Sequence, residues 1–191
     1  MNDPSAEGGK LRRAHPLAIS LIARLRAVPR ARVLEVGAGS GRNTEALRAA
    51  GFEVAAIADN AQLVPEERHY DGALSTHALL HGTPGTIAAS LDAIGRALKP
   101  GAPLHATFAS TRDARFGKGT QISKHVFAAE SGDEANVPHV YFMAEELRSL
   151  LEPRFKVESI QETAADDIIG QWAHAQPLRG VIHWFVRAKA R

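Results

Sequence analysis

"VLEVGAGSGRNTEALRAAGFEVAAIADN", Val33 to Asn60, decides the fold. It reads as a buried β-branched strand (Arg32 to Gly37), a glycine-rich turn, a helix (Asn43 to Ala50) closed by Gly51, and a second strand (Phe52 to Ala58) followed by an acid, Asp59. A strand, turn, helix and strand in this order form the first half of a nucleotide-type binding unit. Gly37, Gly39 and Gly41 permit a tight turn and close approach of backbone to a ligand.

The spacing narrows the ligand. A dinucleotide fingerprint requires G-x-G-x-x-G, and counting from Gly37 the last position is Arg42. What stands here is E-x-G-x-G-x-G, with Glu35 at the end of the strand. A carboxylate there repels a pyrophosphate and attracts a cation. S-adenosylmethionine carries an ammonium and a sulfonium and no phosphate, so spacing and charge favour it over a nicotinamide dinucleotide. The Tyr-x-x-x-Lys pair of short-chain dehydrogenases is also missing, because Tyr70 meets Leu74 and Tyr141 meets Glu145.

Further strands are expected at "YDGALST" (Tyr70 to Thr76), "APLHATFAS" (Ala102 to Ser110), "FKVESIQET" and "GVIHWFVRAKA". Helices are expected after Pro16, from Leu79, over Thr86 to Leu98, and over Met143 to Glu152. Alternating strands and helices followed by two terminal strands predict an α/β, Rossmann-like three-layer sandwich. Its mostly parallel sheet ends in an antiparallel C-terminal pair. Residues 1–191 are read as one domain, with 1–13 frayed and 111–140 a long substrate-side loop with room for short elements inside.

Composition sets outer limits. Apolar residues make up 45%, enough for a core. Lys+Arg 23 against Asp+Glu 21, mixed along the chain, argues against a nucleic-acid partner. Cysteine is absent, which excludes disulfides, thiolate catalysis and cysteine-ligated metals. "LAISLIA" (Leu17 to Ala23) is too short to span a bilayer and is read as an amphipathic helix, so a cytoplasmic protein without a membrane partner is expected.

Three segments together carry a resemblance. "VLEVGAGSG" resembles the first motif of class I S-adenosylmethionine-dependent methyltransferases. "YDGALSTHALLHG" resembles their fourth-strand segment, and "IGRALKPGAPLHATF" the following helix, turn and fifth strand. The similarity runs from about residue 30 to 110 and leans toward small-molecule enzymes, including tellurite-resistance-type members. The resemblance implies that Glu35 holds the methionine ammonium, and that Gly37, Ala38, Gly39 and Gly41 supply backbone around it. Asp59 would accept the ribose hydroxyls, and Ser75 and Thr76 would lie beside the methionine portion. Asp59 stands one residue later than the family places its acid, and a one-residue slip reverses side-chain direction along a strand.

Only residues 60–69 separate Asp59 from Tyr70, where the family places a helix, a third strand and another helix. Fully extended, that segment reaches at most ~36 Å. Crossing the sheet back to the start of the next strand uses most of this length. The family's third strand is therefore expected to be absent, leaving the second strand at the sheet edge and the adenine side open. Glu66 and Glu67 are read as an adenine contact or a solvated turn. A neighbouring subunit is one way to close that side, so a homodimer is among the expected partners.

Methyl transfer needs alignment of a nucleophile, and a base only where the acceptor must lose a proton. His139 and His174 are candidate bases, and His77 is read as a neighbour of the sulfonium or a packing residue. Arg112 and Arg115 are candidate contacts to a polar acceptor or solvated loop residues. Trp172 is an aromatic wall or a core residue, and His183 and Trp184 are read as structural. His77 and His81 have the i, i+4 spacing of helical metal ligands, yet no Glu lies between them and no third ligand is evident, so no metal is expected. The expected function is methyl transfer from S-adenosylmethionine to a small molecule. The alternatives are a non-catalytic cofactor-binding module and a nicotinamide oxidoreductase.

Overall fold

β1 (Arg32–Val36) pairs in parallel with β2 (Glu53–Ile57) on one side and β3 (Gly72–Ser75) on the other, with Val33 opposite both Val54 and Gly72. The computed structural model describes residues 13–58, 66–132, 134–165 and 179–191. Side chains alternate across a strand. Val33 therefore joins Leu17, Leu21, Leu47 and Phe52 on one face of the sheet, while Leu34 and Val36 join Ile87, Leu91, Ile94 and Phe108 on the other.

Helices cover both faces. α1 (Pro16–Leu25) and α2 (Arg42–Ala49) lie on the Val33 face; α3 (Pro84–Ala97) and α4 (Ala144–Leu151) pack on the Leu34 face. α1 begins with a proline, and the side chain of His15 accepts a hydrogen bond from the Leu17 amide at 3.0 Å, satisfying one otherwise unpaired donor of the first turn. This is the expected α/β three-layer, Rossmann-like sandwich. No helix among the described residues is long and apolar enough to cross a membrane.

β4 (Pro103–Ser110) runs parallel to β3 and is fully buried. β8 (Phe155–Ala164) and β9 (Ile182–Ala190) form the expected antiparallel terminal pair, and β9 inserts beside β4, with Phe108 opposite Trp184. β2 is the edge strand, and in chain order no strand lies between it and β3 among the described residues, as the short connection requires.

Two readings change. The segment 111–140 holds more than a loop: β5 (Thr120–Ser123), β6 (Val126–Ala128) and β7 (Pro138–Phe142) form an antiparallel meander whose last residues pair in parallel with the end of β4. These strands bring the sheet to nine. β5 is exposed at every residue, so no apolar alternation marks it in the sequence. The helix expected from Leu79 is also missing. Residues 76–82 form turns, His77 adopts φ 60°, and the helix starts at Pro84, where Thr83 accepts from the Thr86 amide at 3.2 Å. His77 and His81 therefore do not share a helix face.

Candidate functional site

The bend after β1 is held by its backbone. Gly37, Gly39 and Gly41 have φ of 77°, 51° and 80°, a region in which residues with a Cβ are strained. The amides of Gly37 and Ala38 both donate to the Ile57 carbonyl, at 2.8 and 3.2 Å, which ties the bend to the end of β2. A Cβ on Gly37 would stand 2.1 Å from that of Ala78, whereas one on Gly39 would meet open space. The bend therefore packs tightly on its Gly37 side and stays free at Gly39.

Alternation along β1 turns Glu35 toward α2, where its carboxylate is 1% exposed. Oε2 accepts from the Thr44 hydroxyl, and Oε1 has no hydrogen-bond partner among the described residues. Burial pushes the carboxyl upward from its ordinary pKa, opposed by the Thr44 hydroxyl, the nearby Asn43 amide and the charge of Arg42. Asn43 connects this acid to the end of β3 by donating to Thr76 Oγ1 at 3.0 Å. Ser75, next to Thr76, is fully buried with its hydroxyl unpartnered among the described residues. A buried carboxylate oxygen and a buried hydroxyl left unmatched beside a glycine bend suit a ligand with cationic N–H groups.

A line of imidazoles continues from here. His15 and His77 meet edge to face with ring centroids 5.2 Å apart, and His77 Nδ1 lies 3.1 Å from His183 Nδ1. Arg115 contacts His183 Nε2 at 3.2 Å, and a guanidinium can only donate, so that nitrogen accepts. In the neutral ring, His183 then carries its proton on Nδ1 and donates to His77, whose own proton sits on Nε2. Burial, together with neighbouring positive charge, holds His15 and His183 at pKa values of about 3, and burial keeps His77 well below its ordinary value. His183, read from sequence as structural, thus links His77 to the loop after β4.

That loop separates the two candidate arginines. Arg115 makes a two-pronged contact with the buried Asp113, Nε to Oδ1 at 2.9 Å and Nη2 to Oδ2 at 3.1 Å, and Asp113 also accepts from the Ile182 amide. Arg115 lines a cavity of about 350 Å³ with Lys118, Phe127, Glu134, His139 and Tyr141. Arg112 is 74% exposed and pairs with Glu162 at 2.8 Å, away from the residues lining that cavity.

His139 is buried at the cavity wall, with Nδ1 2.8 Å from the Val137 carbonyl and Nε2 3.1 Å from Glu134 Oε2. His81 reaches the other oxygen of Glu134 at 3.3 Å. Tyr141 and Glu134 were not singled out from the sequence. Glu134 carries no local pattern, and Tyr141 reads simply as a residue of an apolar strand. Glu66 and Glu67 are exposed and pair with His69 and Arg96. Asp59, Trp172 and His174 lie outside the described residues.

The sequence pattern of the methyltransferase domain family matches residues 11–154. No curated protein sequence matches the chain. Among solved structures, the 1,6-didemethyltoxoflavin-N1-methyltransferase of Burkholderia thailandensis, with bound 1,6-didemethyltoxoflavin and S-adenosylhomocysteine, is 22% identical with a TM-score of 0.68. The alignment covers 98% of this chain and 81% of that one. An S-adenosylmethionine-dependent methyltransferase from Methanosarcina mazei is 16% identical over 93% of this chain and 98% of its own, with a TM-score of 0.64. A methyltransferase from Haloferax volcanii, in complex with the activator Trm112, is 16% identical over 91% and 88%, with a TM-score of 0.63.

Proposed function

Because the chain belongs to the methyltransferase domain family, we propose that it methylates a small molecule held in the cavity lined by Arg115, His139 and Tyr141. S-adenosylmethionine is the cofactor, and it supplies a methyl group on a sulfonium leaving group. The observation that carries this reading is Glu35, a buried carboxylate with one oxygen unmatched beside three left-handed glycines. Glu35 takes the methionine ammonium, and Ser75 and Thr76 flank the methionine portion at the end of β3. Gly37, Ala38, Gly39 and Gly41 keep the approach free of side chains larger than methyl. Asp59 accepts the ribose hydroxyls.

His77, held neutral by burial and by neighbouring positive charge, adds no positive charge to oppose a sulfonium. The acceptor lies against the meander β5–β7. Arg115, fixed by Asp113 and His183, orients it, and His139, beside Glu134 at the cavity wall, is the candidate base where the acceptor must lose a proton. Trp172 and His174, which lie outside the described residues, are assigned to the acceptor from sequence alone, and Arg112, paired with Glu162 away from the cavity, is the weakest of the acceptor candidates. The small-molecule acceptor bound in the Burkholderia neighbour supports the same substrate class here. A cytoplasmic location and a homodimer closing the adenine side belong to this reading.

Calorimetric titration with S-adenosylmethionine and S-adenosylhomocysteine tests the cofactor. A methyl-release assay over nitrogen, oxygen and sulfur acceptors then tests the reaction. Binding with turnover of at least one acceptor class is expected. Binding with no turnover across the panel identifies a non-catalytic module, and a pyrophosphate nucleotide occupying the bend in place of either ligand overturns the proposal.

A further inference from the structure

His81, Glu134 and His139 come from different turns and strands and meet beside the cavity that Glu134 and His139 line. The turn carrying His81 is stitched to β7 by two backbone bonds, Gly82 N to Pro138 O and Val140 N to Leu80 O, each 2.8 Å. This sets the His81 and His139 rings edge to face with centroids 4.7 Å apart. The turn carrying Glu134 folds over them, and one ligand atom from each residue lies within 4.8 Å of the others.

The protonation of His139 makes the arrangement informative. A carbonyl only accepts, so the 2.8 Å contact with Val137 O requires the proton on Nδ1. In the neutral ring Nε2 then presents a lone pair to the Glu134 carboxylate at 3.1 Å, and that group also only accepts. Two acceptors at this distance need a positive species between them, either a second proton on the ring or a metal ion.

Three features favour the ion. His81 Nε2 converges on the second oxygen of the same carboxylate at 3.3 Å, so one acid is flanked by two imidazoles. Ligand atoms bound at ~2.0–2.2 Å to one ion stand about 3.0–3.5 Å from each other, the spacing seen here between each nitrogen and its carboxylate oxygen. A backbone carbonyl on the far ring nitrogen is the arrangement that orients a ligating histidine.

We propose that His81, Glu134 and His139 form a divalent transition-metal site of two imidazoles and one carboxylate, with a coordination position open to the cavity. This donor set suits Zn²⁺, Fe²⁺ or Ni²⁺ rather than Mg²⁺ or Ca²⁺. The open position takes an oxygen or nitrogen of the methyl acceptor and lowers its pKa, so that the acceptor gives its proton to solvent and then attacks the methyl as the bond from methyl to sulfur breaks; His139 acts as a ligand rather than as a free base. That role rests on the methyl-transfer reading; the metal site does not.

Tag-free protein stripped with a chelator is titrated with Co²⁺ and followed by visible absorption, and with Zn²⁺ followed by calorimetry and elemental analysis. One equivalent should bind, with ligand-field bands that shift on adding azide if a position is open. Glu134→Gln, which keeps the side-chain shape, and His81→Ala should each weaken binding about tenfold or more, with unfolding curves showing that each variant is folded. Should His81→Ala fail to fold, Glu134→Gln decides. No stoichiometric binding, or binding unchanged in the folded variants, overturns the site and leaves a proton-held Glu134–His139 pair. Bands indifferent to azide overturn the open position. Titrating S-adenosylmethionine in parallel separates the two readings, since loss of metal with the cofactor still bound removes this site alone.

Discussion

The bend after β1 and the cluster around Glu134 both gather buried polar groups, but they are built over very different lengths of chain. Glu35, the three glycines, Asn43 and Thr44 lie within one strand–turn–helix unit, and the bend is fastened to Ile57 by backbone bonds. His81, Glu134 and His139 meet only because β7 pairs with the end of β4 and the turn after β3 is bonded to β7. The first site is encoded in backbone conformation, so a side chain added to it does the damage. The second is encoded in register, so it fails when β7 slips by one residue and turns His139 to the opposite face.

The largest effect expected is at the bend itself. Gly37→Val puts a branched side chain at φ 77° against Ala78 and should abolish cofactor binding and lower stability by more than about 4 kcal/mol, read from calorimetry and denaturant unfolding. Gly39→Ala, with open space beside it, should cost only about 1–2 kcal/mol of backbone strain. Equal losses for the two would break the view that one side of the bend is packed and the other free.

On the opposite side of the comparison, Arg115→Ala leaves Asp113 buried without its two-pronged partner and should destabilise by about 3–5 kcal/mol in chemical denaturation. A loss under about 1 kcal/mol would mean that Asp113 does not depend on the guanidinium. Glu35→Gln should leave the fold intact and weaken S-adenosylmethionine about 10–100-fold in a calorimetric titration, the size of a charged hydrogen bond. Unchanged affinity would remove Glu35 from the cofactor site.

Acid should sharpen the contrast between the two regions. The folded pKa values of His15 and His183, at about 3, and of His105, at about 4, lie below the unfolded value near 6.5; that of His77 lies well below it too. Above that value the rings are neutral in both states and contribute nothing to pH dependence. As pH falls from about 6.5 toward 3–4 the unfolded chain takes up protons that the folded chain refuses, so stability declines. At pH 5 the His15, His105 and His183 rings each cost about 2 kcal/mol, and the sum is smaller because the rings are coupled. Glu134, whose carboxyl is held far below its ordinary range by His139 and His81, loses its contribution only below about pH 4.5. Denaturation midpoints at pH 7 and pH 5, in chelator, check the histidine window; no change would mean that the rings are charged in the fold. The smallest effect is expected for Arg112→Ala, an exposed partner of Glu162 worth about 0–1 kcal/mol, with turnover altered less than about threefold.

Much of the frame was legible from residue patterns. Apolar runs at Val33 to Val36 and Leu104 to Phe108, glycine at the turns and the short 60–69 connection predicted the parallel sheet, its edge at β2 and its terminal antiparallel pair. The meander β5–β7 escaped because β5 is exposed throughout and β6 is a short buried run, neither of which shows a period. The helix expected from Leu79 was misplaced because turn chemistry governs residues 76–82 and the helix starts only at Pro84.

The chain's own order of residues therefore settled the glycine bend, the acid inside it and the layered α/β frame, since each depends on neighbours a few positions apart and on repeating apolar patterns. Which imidazoles meet, which arginine turns inward and which carboxylate lies between His81 and His139 were settled in three dimensions. Those contacts join residues tens of positions apart, and their partners are chosen by strand register and loop path, which no local spacing encodes.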